Sequence, residues 1–160
     1  MNAAASETRQ IGVTITQQQD YAFQVKFDGS DIPDLLTDES EPLGHDAGPN
    51  PARMLLAAVA NCLTASLLFA LRKFKNQPGQ LVTRATATLG RNAEGRIRIL
   101  GIEADIQLAE PATALASGER LLAQFEQFCT VTESVRAGIP VTVRVTDADG
   151  VLVHEGAELV

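Results

Sequence analysis

Hydrophobic and polar residues alternate twice near the start of the chain. Ile11, Val13 and Ile15 alternate with Gly12, Thr14 and Thr16, and Phe23, Val25 and Phe27 alternate with Gln24 and Lys26. A period of two predicts half-buried strands, and Asp28-Gly29 punctuates the second. Residues 28–51 then hold five Asp, two Glu, four Pro and three Gly, the composition of an irregular acidic crossing. It ends in Gly48-Pro49-Asn50-Pro51, a helix entry in which Asn50 caps and Pro51 takes the first helical position. The helix predicted from Pro51 runs to about Lys75, where Asn76-Gln77-Pro78-Gly79 stops it.

Residues 81–90 and 97–108 flank Asn92-Ala93-Glu94-Gly95 and predict a hairpin. Its second strand changes phase: Ile97 and Ile99 share one parity, Ile102, Ala104, Ile106 and Leu108 the other. A bulge at Leu100-Gly101 restores a single buried face. Leu121, Leu122, Phe125, Phe128 and Cys129 follow at helical spacing. Thr130-Val131-Thr132-Glu133 has the pattern of a capping box, opening a short helix that ends at Arg136-Ala137-Gly138. Val141, Val143 and Val145 alternate with Thr142, Arg144 and Thr146, and Asp147-Ala148-Asp149-Gly150 turns into a last strand over 151–154. Strands and helices are segregated, so the expectation is an α+β protein with a largely antiparallel sheet. At 160 residues the chain suits one domain over 11–160, with 1–10 as a loose tail.

Charge narrows the partners. Thirteen Lys and Arg against twenty Asp and Glu give a net charge of −7, with no basic cluster. That is not the electrostatic footprint of a nucleic-acid binder or of a protein held to an anionic membrane. Residues 54–71 are apolar apart from Asn61, Thr64 and Ser66, at the lower edge of membrane-spanning length. Without a polar face, the preferred reading is a helix buried all round in a soluble protein. The first ten residues have neither a basic nor an apolar leader region, which points to a reducing, cytoplasmic location.

The candidate chemistry rests on Cys62 and Cys129, 67 positions apart. That is no CxxC pair, and with His45 and His154 as the sole histidines no pair has zinc-ligand spacing, so no metal is expected. Cys62 lies mid-helix with Leu55, Ala58, Val59, Ser66 and Phe69 on its face. By spacing alone it reads first as a small buried hydrophobe. Cys129 precedes a helix N-terminus, whose partial positive charge favours thiolate. Two such cysteines suggest a dithiol able to close to a disulfide, though spacing does not establish contact.

Residues 48–63, Gly48-Pro49-Asn50-Pro51 through Asn61-Cys62-Leu63, resemble the first cysteine helix of the OsmC/Ohr family. Phe128-Cys129-Thr130-Val131, with Val135-Arg136-Ala137-Gly138-Ile139-Pro140-Val141-Thr142-Val143, resembles its second cysteine segment and following strand. The resemblance spans roughly residues 11–150. It implies an OsmC-like fold, mostly antiparallel sheets packed on a long central helix, in an intertwined homodimer. It also implies a thiol peroxidase reducing organic hydroperoxides: the cysteine matching Cys62 becomes a sulfenic acid, the one matching Cys129 condenses with it, and a dithiol reductant, of lipoyl type or similar, reopens the disulfide. That chemistry needs no metal or flavin cofactor.

One departure bears on activity. Family peroxidases carry a Glu ten residues before the first cysteine, paired with an Arg from an early strand. Here Ala52 stands at that position, followed by Arg53, and the early strands hold no Arg, Arg9 preceding them. Arg53 lies about 13 Å of helix from Cys62 and reads as a solvated helix edge. The apolar neighbours of Cys62 disfavour its anion, so a sluggish thiol is expected. His45 and Asp46 read as surface loop, Asn61 and Thr64 as hydrogen-bonded within the core or across a dimer seam, and Phe125 and Phe128 as core. Asp147, Asp149 and Gly150 read as a hairpin turn rather than a calcium loop, and Glu39 and Glu41 as solvated. Three functions follow: a cysteine peroxidase, a non-enzymatic or weakly reactive redox sensor, and a module binding a small lipid-like ligand.

Overall fold

A computed structural model describes residues 8–156. The expected tail over 1–10 therefore falls largely outside the described residues. Contacts group the chain into two compact units, Met1–Arg53 and Met54–Val160.

In the first unit, β1 (Val13–Gln19) pairs antiparallel with β2 (Ala22–Phe27), which pairs antiparallel with β3 (Leu35–Thr37). The third strand lies inside the stretch expected to be irregular: three residues are too short for an alternation to be read against its acidic surroundings. After it, the buried Asp38 carboxylate accepts the backbone N–H groups of Glu39, His45 and Ala47 and so closes the following loop. Gly48 lies against the Leu36 carbonyl, where any Cβ would collide, so the helix-entry turn requires glycine. Asn50 Oδ1 accepts the Arg53 N–H at 2.9 Å, the expected N-cap.

The long helix α1 (Pro51–Lys73) begins there and continues into the second unit. That unit contains a four-stranded sheet of β4 (Val82–Arg91), β5 (Ile97–Gln107), β6 (Val141–Thr146) and β7 (Leu152–Glu155), in that spatial order. Thr88 pairs with Gly101 and Leu89 with Ile99, leaving Leu100 as the extra residue of a bulge. The phase change is thereby resolved, and Ile102, Ala104 and Ile106 all face inward.

The sheet is mixed, where a largely antiparallel one was expected. β5 and β6 run parallel because the connection between them is a helical crossover, not a hairpin. That crossover holds α2 (Gly118–Leu122), a 3-10 turn (Phe125–Phe128) and α3 (Thr130–Val135), so the helix expected across 121–129 is broken. The capping box does not form either. Cys129 is the N-cap of α3, and Glu133 pairs with Arg136 instead of reaching back.

One core unites Val59, Leu63, Leu67 and Leu71 of α1 with Ile102, Ile106, Val141, Val143, Val145, Leu121, Phe125 and Cys129. α1 is covered on this side only, not all round: Ala57, Ala58, Asn61, Ala65 and Phe69 are exposed. Replacing Leu67 by Ala removes a wholly buried side chain from this core. It should cost about 2–5 kcal/mol, read as a lower urea midpoint at unchanged slope.

Candidate active site

Cys62 sits on α1 one residue before the fully buried Leu63 and is itself half-buried. Cys129 is wholly buried at the junction of the 3-10 turn and α3. Both thiols are free, and Cys62 packs against the core that holds Cys129, close enough to act on its thiol. The structure thus brings together the two cysteines whose contact their spacing left open.

Their environments differ. Burial pushes the Cys129 thiol above its ordinary value, and the neighbouring Cys62 adds to the rise. The Thr132 hydroxyl, 3.0 Å from Cys129 Sγ, and the Thr132 backbone N–H act the other way without reversing it. The thiolate expected for Cys129 ahead of a helix N-terminus is corrected: α3 has only six residues, and burial, the largest influence on this thiol, raises it.

Beneath the Cys129 turn lies a charged cluster that the sequence did not reveal. Glu126 binds Arg136 Nη2 through Oε2 and His154 Nε2 through Oε1, both at 2.5 Å. Arg136 also reaches Glu133 at 2.6 Å. The Glu126, Arg136 and His154 side chains are 12%, 8% and 15% exposed, so all three are nearly dry. The His154 ring packs edge-on against Phe125 at 5.2 Å. The cluster ties the 3-10 turn, the end of α3 and β7 together around Cys129. These residues are 10 to 28 positions apart and share no periodic pattern, so only the tertiary fold assembles them.

The other candidates take ordinary places. Ala52 leaves the first turn of α1 without an acidic residue. Arg53 pairs with exposed Asp46 at 3.0 Å, and exposed His45 lies 3.7 Å from Asp20. Thr64 donates to the Ala60 carbonyl and shares a hydrogen bond with Thr83 on β4, while Asn61 is exposed. Asp147 accepts N–H groups from Ala112, Asp149 and Val151, the work of a turn carboxylate. Phe125 is core, but Phe128 is not: it is 66% exposed. The break after α2 turns Phe125 and Cys129 inward and leaves Phe128 outside, with Lys73 Nζ 6.0 Å from its ring. Phe128 and Phe69 flank an apolar cleft between the end of α1 and the 3-10 turn.

Two outcomes follow. Iodoacetamide should label Cys62 in the native protein and Cys129 only after unfolding, as peptide mapping will show. Burial pushes the Glu126 carboxyl up, but its bonds to His154 and Arg136 outweigh this and hold it below the usual range. A depressed folded value contributes stability above the free glutamate value of about 4.3, and that contribution is lost as pH falls through the folded value. Glu126→Gln should therefore be less stable than wild type at pH 6. The gap in urea midpoints should narrow below about pH 4.

Comparison with known proteins supplies the family context. A family model described as OsmC-like protein matches residues 44–144. No curated protein matches the sequence. Among solved structures, an OsmC-like protein of unknown function from Vibrio cholerae is similar over 86% of this chain and 99% of its own, at 18% identity and a TM-score of 0.73. An OsmC-like protein from Mycoplasma pneumoniae is similar over 88% of this chain and 99% of its own, at 16% identity and a TM-score of 0.73. An organic hydroperoxide resistance protein from Elizabethkingia anophelis, with thiocyanate bound, is similar over 89% of this chain and 99% of its own, at 19% identity and a TM-score of 0.70. At these identities the structural likeness shows a shared fold.

Proposed function

The chain belongs to the OsmC-like protein family, and from that premise we propose that it is a thiol-dependent peroxidase for organic hydroperoxides, acting through Cys62 and Cys129 in the reducing cytoplasm. The observation that carries this reading is the proximity of a half-buried thiol, Cys62, to a wholly buried one, Cys129. A peroxide meets Cys62 first. The Cys62 thiolate attacks the terminal oxygen of the peroxide, the O–O bond breaks, and an alcohol leaves as Cys62 becomes a sulfenic acid. Cys129 then displaces that hydroxyl as water and closes a disulfide, before a second peroxide oxidises Cys62 further.

An organic rather than inorganic peroxide is favoured by the cleft of Phe69 and Phe128. Phe69 lies seven residues from Cys62, on the same helix face and about 10 Å along it, which suits an apolar tail. A homodimer is the assembly that would cover the exposed α1 residues Ala57, Ala58, Ala65 and Phe69. A dithiol is the matching reductant, because its second thiol releases it from a mixed disulfide.

A second reading, a slow redox sensor, is favoured by Ala52 in place of the family Glu and by the raised Cys129 thiol. The two readings differ in turnover. With cumene hydroperoxide and a dithiol, a peroxidase consumes many equivalents, whereas a sensor stops at one. Cys62→Ser should abolish peroxide consumption. Cys129→Ser should give one turnover ending in sulfenic or sulfinic acid at Cys62, read by mass spectrometry. Normal dithiol-supported cycling of Cys129→Ser would remove the resolving role.

A further inference from the structure

The Thr132 hydroxyl is wholly buried and touches the sulfur of Cys129. It has no exposed surface, and its Oγ1 lies 3.0 Å from Cys129 Sγ. Its place is set by backbone and ions together. Cys129 accepts the Glu133 N–H at 3.0 Å, Thr132 accepts the Arg136 N–H at 2.8 Å, and the Arg136 side chain is anchored to Glu126 and Glu133.

Resting on the peroxidase reading above, we propose that the Thr132 hydroxyl is a catalytic hydrogen-bond donor that holds the Cys129 sulfur as an anion, both when the disulfide forms and when a dithiol opens it from the Cys62 side. Three observations lead there. First, Cys129 is sealed from solvent while Cys62 is half-exposed, so an external thiolate reaches only the Cys62 sulfur of the disulfide. That attack forms a mixed disulfide on Cys62, and the old S–S bond breaks with its electron pair leaving on Cys129. The second thiol of the reductant then attacks the mixed disulfide, freeing Cys62 and leaving the reductant as a cyclic disulfide.

Second, Cys129 is a poor leaving group by burial alone, since its thiol is pushed up by desolvation and by Cys62. A leaving anion in so dry a place needs a donor. Third, Thr132 acts on this sulfur in the stabilising direction. In the reduced state the Cys129 thiol donates to the hydroxyl; once the sulfur has no proton, the hydroxyl rotates and donates to it instead. The same contact serves the forward step, in which the Cys129 thiolate attacks the Cys62 sulfenic acid and the displaced hydroxide leaves as water. A donor bond to a charged partner is worth roughly 10–100-fold in such a rate.

The test separates this role from the peroxide chemistry by making the disulfide without peroxide. Wild type, Thr132→Val and Thr132→Ser are oxidised with diamide, and opening by dihydrolipoamide is followed by stopped flow. Val keeps the shape and removes the donor, whereas Ser keeps the donor. The expected result is roughly 10–100-fold slower opening for Thr132→Val and near wild-type opening for Thr132→Ser. If circular dichroism shows Thr132→Val unfolded, Thr132→Ala takes its place with the same expectation. Equal rates in wild type and the donor-less variant would overturn the proposal. So would a Ser variant as slow as Val, or a Cys62–Cys129 disulfide that diamide cannot form. Failure of the peroxidase reading shows elsewhere, as no sulfenic acid on Cys62 of Cys129→Ser after cumene hydroperoxide.

Discussion

Burial of the Val59–Leu63–Leu67 line of α1 is the constraint on which the rest depends. These three side chains are wholly excluded from solvent in the core that they share with β5 and β6. Cys62 precedes Leu63, so it is rotated about 100° from the buried line and comes to the edge of the core rather than its centre. That edge position is what the role proposed for Cys62 needs. It is close enough to the core to meet Cys129 and far enough out to meet a solute. The leucines thus orient the thiol, although none of them is a candidate for chemistry.

Cys129 shows the opposite compromise. Its sulfur is in the dry interior, where the anion is disfavoured and no external reagent arrives. Protection and sluggishness have the same cause. A buried thiol does not suffer stray oxidation, and in the proposed cycle it reacts only when Cys62 offers an electrophilic sulfur. The Glu126–Arg136–His154 cluster supports this arrangement from below by tying three chain segments around the cysteine. Ions this poorly hydrated gain little net stability from their attraction, because desolvation offsets most of it. Their contribution is better understood as positioning. An Arg136 guanidinium bound to Glu126 and Glu133 ties the end of the six-residue α3 to the 3-10 turn before it and so leaves Thr132 little freedom to shift.

Much of this was legible in the sequence because it is written in local patterns. Period-two alternation marked β1, β2, the β4–β5 hairpin and β6, and the phase change across Leu100 located the bulge, since one face must stay apolar. Asn50 and Pro51 announced the start of α1 through cap chemistry that acts over three residues. The paired cysteine segments were also visible as a family resemblance, and the family match agrees with it. Local signals misled where nonlocal forces were stronger. The helical spacing across 121–129 was real, yet the crossover broke it and put Phe128 outside.

The sequence by itself determined the elements and their order, apart from the short β3 and the break across 121–129, and the identity of the two thiols, because propensity, capping and alternation act between neighbours. Only the tertiary structure decided which groups meet. The contact of Cys62 with Cys129, the raised Cys129 thiol, the Thr132 hydroxyl against its sulfur and the Glu126–Arg136–His154 cluster all depend on the crossover that lays β6 parallel to β5. No pattern along the chain encodes them. Desolvation depends on every atom packed around a group, and residues many positions apart acquire a distance only when the core closes.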